Sequence, residues 1–342
     1  MNVNAFLNTL SNQSRTLPIV ILYVTEGCNL QCIMCSYRTP SPNELSISDL
    51  RALAEQLCEF GLQHIVYSGG EPLTRRDFEN ICDIFEEKGV KQTLLTNGLL
   101  LEKRSDLMRY FSEVIVSLDG STPEIHDSIR GVRSFDQILR GLNKVIQGPA
   151  RPLVSLRSVI QKRNFRNLPA IVELGKSIGA DRISFLAADV LSDAFSRGPK
   201  DSPGPDRSII LDGQEIREYQ TIVDEMTLKF KDEFETGFIA ESPLKLHNIA
   251  KYFGAVLGIR PFPVNRCNAP MISAVVTSTG EIKPCFFLPA FGNVGSNPVS
   301  DLKKSESARL IRSDVRDYRL ERCRTCVCTL YKSPSSAMMD KF

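Results

Sequence analysis

Two hydrophobic rhythms alternate along the first 190 or so residues of the chain. Short apolar, β-branched runs recur as IVILYVT (19–25), HIVYSG (64–69), KQTLLT (91–96), EVIVSLD (113–119), LVSLRSVI (153–160) and RISFLA (182–187). The first of them, a continuous apolar run, fits a strand buried on both faces. Between them the apolar spacing widens to three and four. Leu50, Leu53, Leu57 and Phe60 follow a capping signal at Ser46–Asp49. Comparable stretches at 76–89, 101–111, 134–147 and 167–178, and one after residue 212, predict further helices. Six strand–helix units of this kind specify parallel strands with right-handed crossovers. An open doubly wound sheet or a partial barrel satisfies that order.

In either architecture functional residues gather where strands run into helices. Four loops fall there: Cys28–Cys35 after strand one, GGEP (69–72) after strand two, TNG (96–98) after strand three and SLDG (117–120) after strand four. The Gly-, Pro- and Ser-rich segment 189–208 leaves the same rim, as a surface loop or as a lid. Residues 212–257 read as helical, and the chain changes character near residue 260. There a β-hairpin within 271–288, turning at Thr279–Gly280, is followed by a helical stretch and the cysteine-rich CRTCVC (323–328). The expected division is an N-terminal extension (1–18), a barrel (19–212), a helical linker (213–260) and a C-terminal domain (261–342).

Composition narrows the chemistry. Forty-two Lys and Arg against 40 Asp and Glu leave a net charge of +2, which removes the main electrostatic case for binding nucleic acid. No apolar run is long enough to span a bilayer, and the N-terminus lacks the features of a secretory signal. A cytoplasmic location is therefore expected. There, ten cysteines are better read as metal ligands or small buried residues than as disulfides. Cys58 and Cys82 lie within helical spacing and read as buried. His64, His126 and His247 are scattered, and none is assigned a catalytic role.

Cys28, Cys32 and Cys35 form a C-x3-C-x2-C loop. Three thiolates can hold three corners of a cubane iron–sulfur cluster, leaving one iron for a small molecule. Structural zinc, the competing reading, asks for four closed ligands, and this loop offers no fourth. With GGEP and SLDG on the same rim, the chain resembles the radical S-adenosylmethionine (SAM) enzymes over roughly residues 18–190. That resemblance implies a partial (β/α)6 barrel whose [4Fe–4S] cluster is chelated by SAM. It also implies reductive cleavage of SAM to a 5′-deoxyadenosyl radical, which takes hydrogen from an organic substrate. By the same resemblance Gly69, Gly70 and Glu71 line the methionine end of SAM, and Ser117 and Asp119 meet its ribose region. Asn97 is a further polar contact, Arg130 a partner for the SAM carboxylate, and Met34 an apolar neighbour of the adenine.

Cys267, Cys285, Cys323, Cys326 and Cys328 lie beyond the barrel. Taken alone their spacing is close to a zinc ribbon. In context they resemble the SPASM/Twitch extension of radical SAM enzymes, a small β-hairpin and helix domain. This implies one auxiliary [4Fe–4S] cluster on Cys267, Cys285, Cys323 and Cys326, with Cys328 spare or an alternative ligand. The recurring Arg309, Arg312, Arg316 and Arg319 read as a solvated helix face paired with Asp314, Asp317 and Glu321, or as a docking site for an acidic electron donor such as flavodoxin. Ferredoxin would serve the same role. The expected reaction is a redox modification of a small molecule such as a sugar or nucleoside, since few residues precede strand one. Modification of a peptide delivered by a partner protein is the alternative. A non-catalytic iron–sulfur carrier, a metal-stabilised regulatory protein and SAM-dependent methyl transfer are the readings from other classes. The particular substrate, the net reaction and the oligomeric state are not legible in the sequence.

Overall fold

The computed structural model describes residues 2–192, 194, 206–328 and 330–339. Nine strands form one sheet: β1 (Ile19–Thr25), β2 (His64–Gly69), β3 (Lys91–Thr96), β4 (Glu113–Ser117), β5 (Leu153–Ile160), β6 (Arg182–Ala187), β7 (Ser273–Val276), β8 (Glu281–Lys283) and β9 (Gly292–Asn293). Their order is β6-β5-β4-β3-β2-β1-β7-β8-β9. The first six strands are parallel neighbours in chain order, so the wall is singly wound, as in a barrel. The doubly wound alternative is thereby set aside.

The helices in chain order begin with α1 (Val3–Leu10), α2 (Ile47–Glu59), α3 (Phe78–Glu86), α4 (Pro123–Arg130), α5 (Phe135–Ile146) and α6 (Leu168–Ser177). Then come α7 (Gly213–Lys229), α8 (Lys231–Glu235), α9 (Pro243–Val256) and α10 (Ala269–Ile272). The last four are α11 (Val299–Lys304), α12 (Glu306–Arg316), α13 (Glu321–Arg324) and α14 (Pro334–Met339). Ser46 caps α2 through a reciprocal bond pair with Asp49, as its sequence foretells. The main apolar core lies between strands and helices, with Leu22, Tyr67, Phe85 and Phe185 fully buried. No helix among the described residues is long and apolar enough to cross a membrane.

Four features depart from the sequence reading. The stretch 101–111 forms only a 3-10 turn, Ser105–Tyr110. Leu107, Met108, Tyr110 and Phe111 are all buried there. The run 212–257 breaks at Gly237, which has a positive φ of 76°. Residues 238–240 then lie along the outer edge of β6, where the amide of Ile183 donates to the carbonyl of Phe238 at 2.7 Å. Glu241 completes that edge cover by accepting from the amide of Phe185 at 2.7 Å.

The third departure is β7, which pairs parallel with β1, Ile19 facing Ser273. The C-terminal segment thus continues the barrel sheet, on the strand beside the one that leads into Cys28–Cys35. Fourth, two arginines of α12 do not form a solvated face. Arg312 is 2% exposed and its Nε donates to the carbonyl of Asn12 at 2.7 Å. Arg316 donates to the carbonyl of Ser11 at 2.6 Å. Both satisfy carbonyls just past the C-terminal end of α1, where cations are favoured. Arg319 alone of these pairs outward, with Asp314 and Asp317 at 2.8 and 2.7 Å. Most of the proposed lid, residues 193 and 195–205, lies outside the described residues.

Candidate active site

The rim is assembled by backbone bonds between loops. The amide of Gly70 donates to the carbonyl of Thr25 at 2.8 Å, and that of Glu71 to Gly27 at 2.8 Å. The chains approach so closely that a Cβ on Gly70 would sit 2.1 Å from the Gly27 oxygen and 2.7 Å from that of Glu26. Backbone atoms tied together by these hydrogen bonds cannot give way by that much. Gly70→Ala is expected to displace the cysteine loop and weaken SAM binding by tenfold or more; equilibrium dialysis of the reconstituted protein checks this, and unchanged affinity would refute it.

The cysteine loop is tied on its other side to the end of α4. The amides of Gln31 and Ile33 donate to the carbonyls of Arg130 and Ile129 at 3.0 and 3.1 Å. Cys28, Cys32 and Cys35 all line a cavity of about 300 Å3. Two donors face their sulfurs: Nδ2 of Asn97 lies 3.8 Å from Sγ of Cys28, and Arg130 NH1 lies 3.8 Å from Sγ of Cys32. Burial pushes the Cys28 thiol up to about 11 and raises that of Cys35 as well. Metal binding there must displace thiol protons. N–H groups aimed at sulfur suit an iron–sulfur cluster, whose potential they tune.

Gly69, Gly70, Asn97, Ser117, Arg130 and Met34 line the same cavity, so the sequence brings these candidates together. Two others are not on its wall. Glu71 is fully buried, and its carboxylate accepts from Thr96 Oγ1 at 2.8 Å, from the amide of Asn97 at 2.6 Å and from that of Leu73 at 3.1 Å. It holds the β3 loop in place, and burial pushes its carboxyl up to about 7. Asp119 is also fully buried, accepting from the amide of Val159 at 2.7 Å and pairing with Arg130 at 2.7 Å. Burial raises its carboxyl while Arg130 pulls it back. Both carboxylates hold neighbouring residues in place.

The five C-terminal cysteines, Cys267, Cys285, Cys323, Cys326 and Cys328, line a second cavity of about 100 Å3. Cys328, Phe286 and Phe287 line both cavities, so the two adjoin there. Burial pushes Cys285 up to about 12 and Cys323 up to about 11. Among the described residues no three His, Cys, Asp or Glu side chains converge tightly enough to hold a single metal ion; in both places the thiols face an open cavity instead.

Sequence reasoning missed three charged side chains at this junction. Arg322 lies over the ring of Phe287 at 4.7 Å and pairs with Asp189, buried after β6, at 3.0 Å. Arg157 points from β5 into the larger cavity. A lone charge inside an otherwise uncharged strand was its available signal. The histidines stay away from both cavities: His64 bonds Thr93 at 2.8 Å and burial drops it to about 4, while buried His126 falls to about 3. Cys82 is fully buried, as expected, whereas Cys58 is half-buried.

Residues 22–174 match the Radical SAM superfamily, and residues 267–327 match SPASM, an iron–sulfur cluster-binding domain. Over 177 residues the chain is 36% identical to Fe-coproporphyrin III synthase of Methanosarcina barkeri, covering 49% of this chain and 43% of that protein. It is 31% identical over 172 residues to a probable GTP 3′,8-cyclase of Methanocaldococcus jannaschii, covering 48% and 57%. The chain thus spans about half the length of the curated relatives it matches. Its fold is similar to that of Streptococcus suis SuiB bound to the precursor peptide SuiA, with a TM-score of 0.62 at 18% identity, covering 94% of this chain and 75% of the other.

Proposed function

We propose, from the premise that this chain belongs to the radical SAM superfamily and carries a SPASM-type iron–sulfur domain, that it cleaves SAM reductively and performs a redox modification of an organic substrate. The observation that supports this reading most is a pair of adjoining cavities: Cys28, Cys32 and Cys35 line one, the second cysteine group lines the other, and Cys328, Phe286 and Phe287 line both. When bound, a [4Fe–4S] cluster and SAM supply a 5′-deoxyadenosyl radical that takes a hydrogen atom from carbon.

The residues of the chain divide the remaining work. Cys28, Cys32 and Cys35 hold three corners of the cluster and leave the fourth to SAM. Gly69 and Gly70 let backbone approach the ligand, while Asn97, Ser117 and Arg130 offer polar contacts and Met34 an apolar one. Cys267, Cys285, Cys323 and Cys326 hold the auxiliary cluster, with Cys328 as spare or alternative ligand. Its place next to the substrate cavity suits a reaction that must remove an electron after hydrogen abstraction. A cavity of about 300 Å3 suits a small molecule such as a sugar or nucleoside, or one side chain of a peptide. A flavodoxin or ferredoxin supplies the initiating electron.

The test is anaerobic reconstitution with iron and sulfide, then SAM and dithionite, with 5′-deoxyadenosine read by mass spectrometry. Deoxyadenosine with about eight irons per chain, two cubane clusters' worth, is the expected result. A fully loaded protein that binds SAM but yields no deoxyadenosine, with or without candidate substrates, would overturn the proposal.

A further inference from the structure

Three charged side chains line the larger cavity, and two of them have partners. Arg130 is tied to Asp119 at 2.7 Å, and Asp189 to Arg322 at 3.0 Å. Arg157 makes no ion pair and no side-chain hydrogen bond with any described residue, and its Nε is sealed from solvent without an acceptor. A guanidinium keeps its charge at any physiological pH. Burying that donor without an acceptor is costly. An anion entering the cavity would supply one.

Strand geometry places that anion. Arg157 stands beside Ser117 in the β4–β5 register, and it shares its strand face with Val159, two residues on. Val159 pairs in register with Leu186 of β6, and Leu186, Phe287 and Val327 line the cavity beyond it. Cys328, from the C-terminal side, lines the same cavity as Arg157. One polar anchor thus sits against an apolar wall that runs toward the second cysteine group.

We propose that Arg157 anchors an anionic group of the substrate, a carboxylate or phosphate carried on a body with an apolar face. This rests on the radical SAM reading and narrows its substrate to organic anions. The anchor fixes one end of the substrate at β5, so that its reacting carbon lies between SAM and the second cysteine group. Arg157 is a positioning residue, acting on orientation and affinity without touching the reacting atoms.

The test uses reconstituted wild type, Arg157→Gln and Arg157→Lys, each saturated with SAM and titrated with butyrate, butyl phosphate and neutral butyramide. Binding is read by saturation-transfer NMR, and the SAM Kd separately by equilibrium dialysis. Wild type is expected to bind one anion at least about tenfold tighter than butyramide, and the preferred anion identifies the group. Arg157→Gln should weaken that anion by about 10- to 100-fold, the span of a charge-assisted hydrogen bond, and Arg157→Lys should restore part of it. The SAM Kd should stay within about twofold throughout. Wild type that does not discriminate anion from amide overturns the proposal, whatever the variants do. So does Arg157→Gln with undiminished anion binding, or with a SAM Kd raised in place of the anion Kd, which would assign Arg157 to SAM. Failure of the radical reading shows differently, as no deoxyadenosine from wild type.

Discussion

Replacing Cys32 by Ala is expected to reduce 5′-deoxyadenosine formation to background while about half of the reconstituted iron remains bound. Cys32 is the most buried of its three thiols, 8% exposed, and the guanidinium of Arg130 stands 3.8 Å from its sulfur. No His, Asp, Glu or fourth Cys shares the wall of that cavity near Cys28 and Cys35 except Asp189, already paired with Arg322, and Cys328 at the far end. A lost ligand therefore has no local substitute, and two thiolates do not retain a cubane cluster. The second cysteine group sits in its own cavity on other elements, so its iron should survive. Iron counting and visible absorbance, alongside the deoxyadenosine assay, read both halves of this expectation. Cys82→Ala is the control, since that thiol is fully buried in α3 against the apolar core. It should lower stability and leave cleavage intact. A Cys32→Ala protein that still makes deoxyadenosine would remove Cys32 from the cluster; loss of all iron would show that the two groups fold as one.

The strands were legible because each carries a short apolar, β-branched stretch between helix-like spacings: β1, β3, β5 and β6 begin and end where the sequence places them. The rim motifs were legible for a related reason, since each follows such a run. Side-chain direction was not. Glu71 and Asp119 belong to recognisable motifs, yet each carboxylate turns inward to satisfy backbone amides, Asn97 in one case and Val159 in the other. A motif fixes the residue type and leaves open which of several nearby donors wins. Long-range pairing was equally hidden. The register of β7 on β1 joins Ile19 to Ser273, and no local pattern encodes a partner so distant in sequence. Arg312 misled for the same reason: helical spacing on α12 suggested a solvated stripe, but the carbonyl of Asn12 arrives from the other end of the chain.

Asp119→Ala is expected to destabilise the protein by about 3–5 kcal/mol, the cost of stripping one partner from a buried ion pair. Asp119 is fully buried and the Arg130 side chain is 10% exposed, so water cannot replace the missing carboxylate. The same substitution orphans the amide of Val159. Arg130 is then left charged and without its counterion beside the cysteine loop, whose amides lean on Arg130 and Ile129. Anaerobic denaturant titration of the cluster-loaded protein measures the loss. The double variant Asp119→Ala/Arg130→Met separates the causes, because it removes the buried charge while the Val159 amide stays unsatisfied. If the unpaired guanidinium dominates, the double variant should recover more than half of the lost stability. If the amide dominates, it should recover almost none. SAM affinity gives an independent reading, since Arg130 lines the cavity of Cys28, Cys32 and Cys35 and Asp119 does not. Stability restored with SAM binding still weak would mean that Asp119 matters to the site only through Arg130. Restoration of both would take Arg130 out of SAM binding and leave the pair a purely structural brace between the β4 loop and α4.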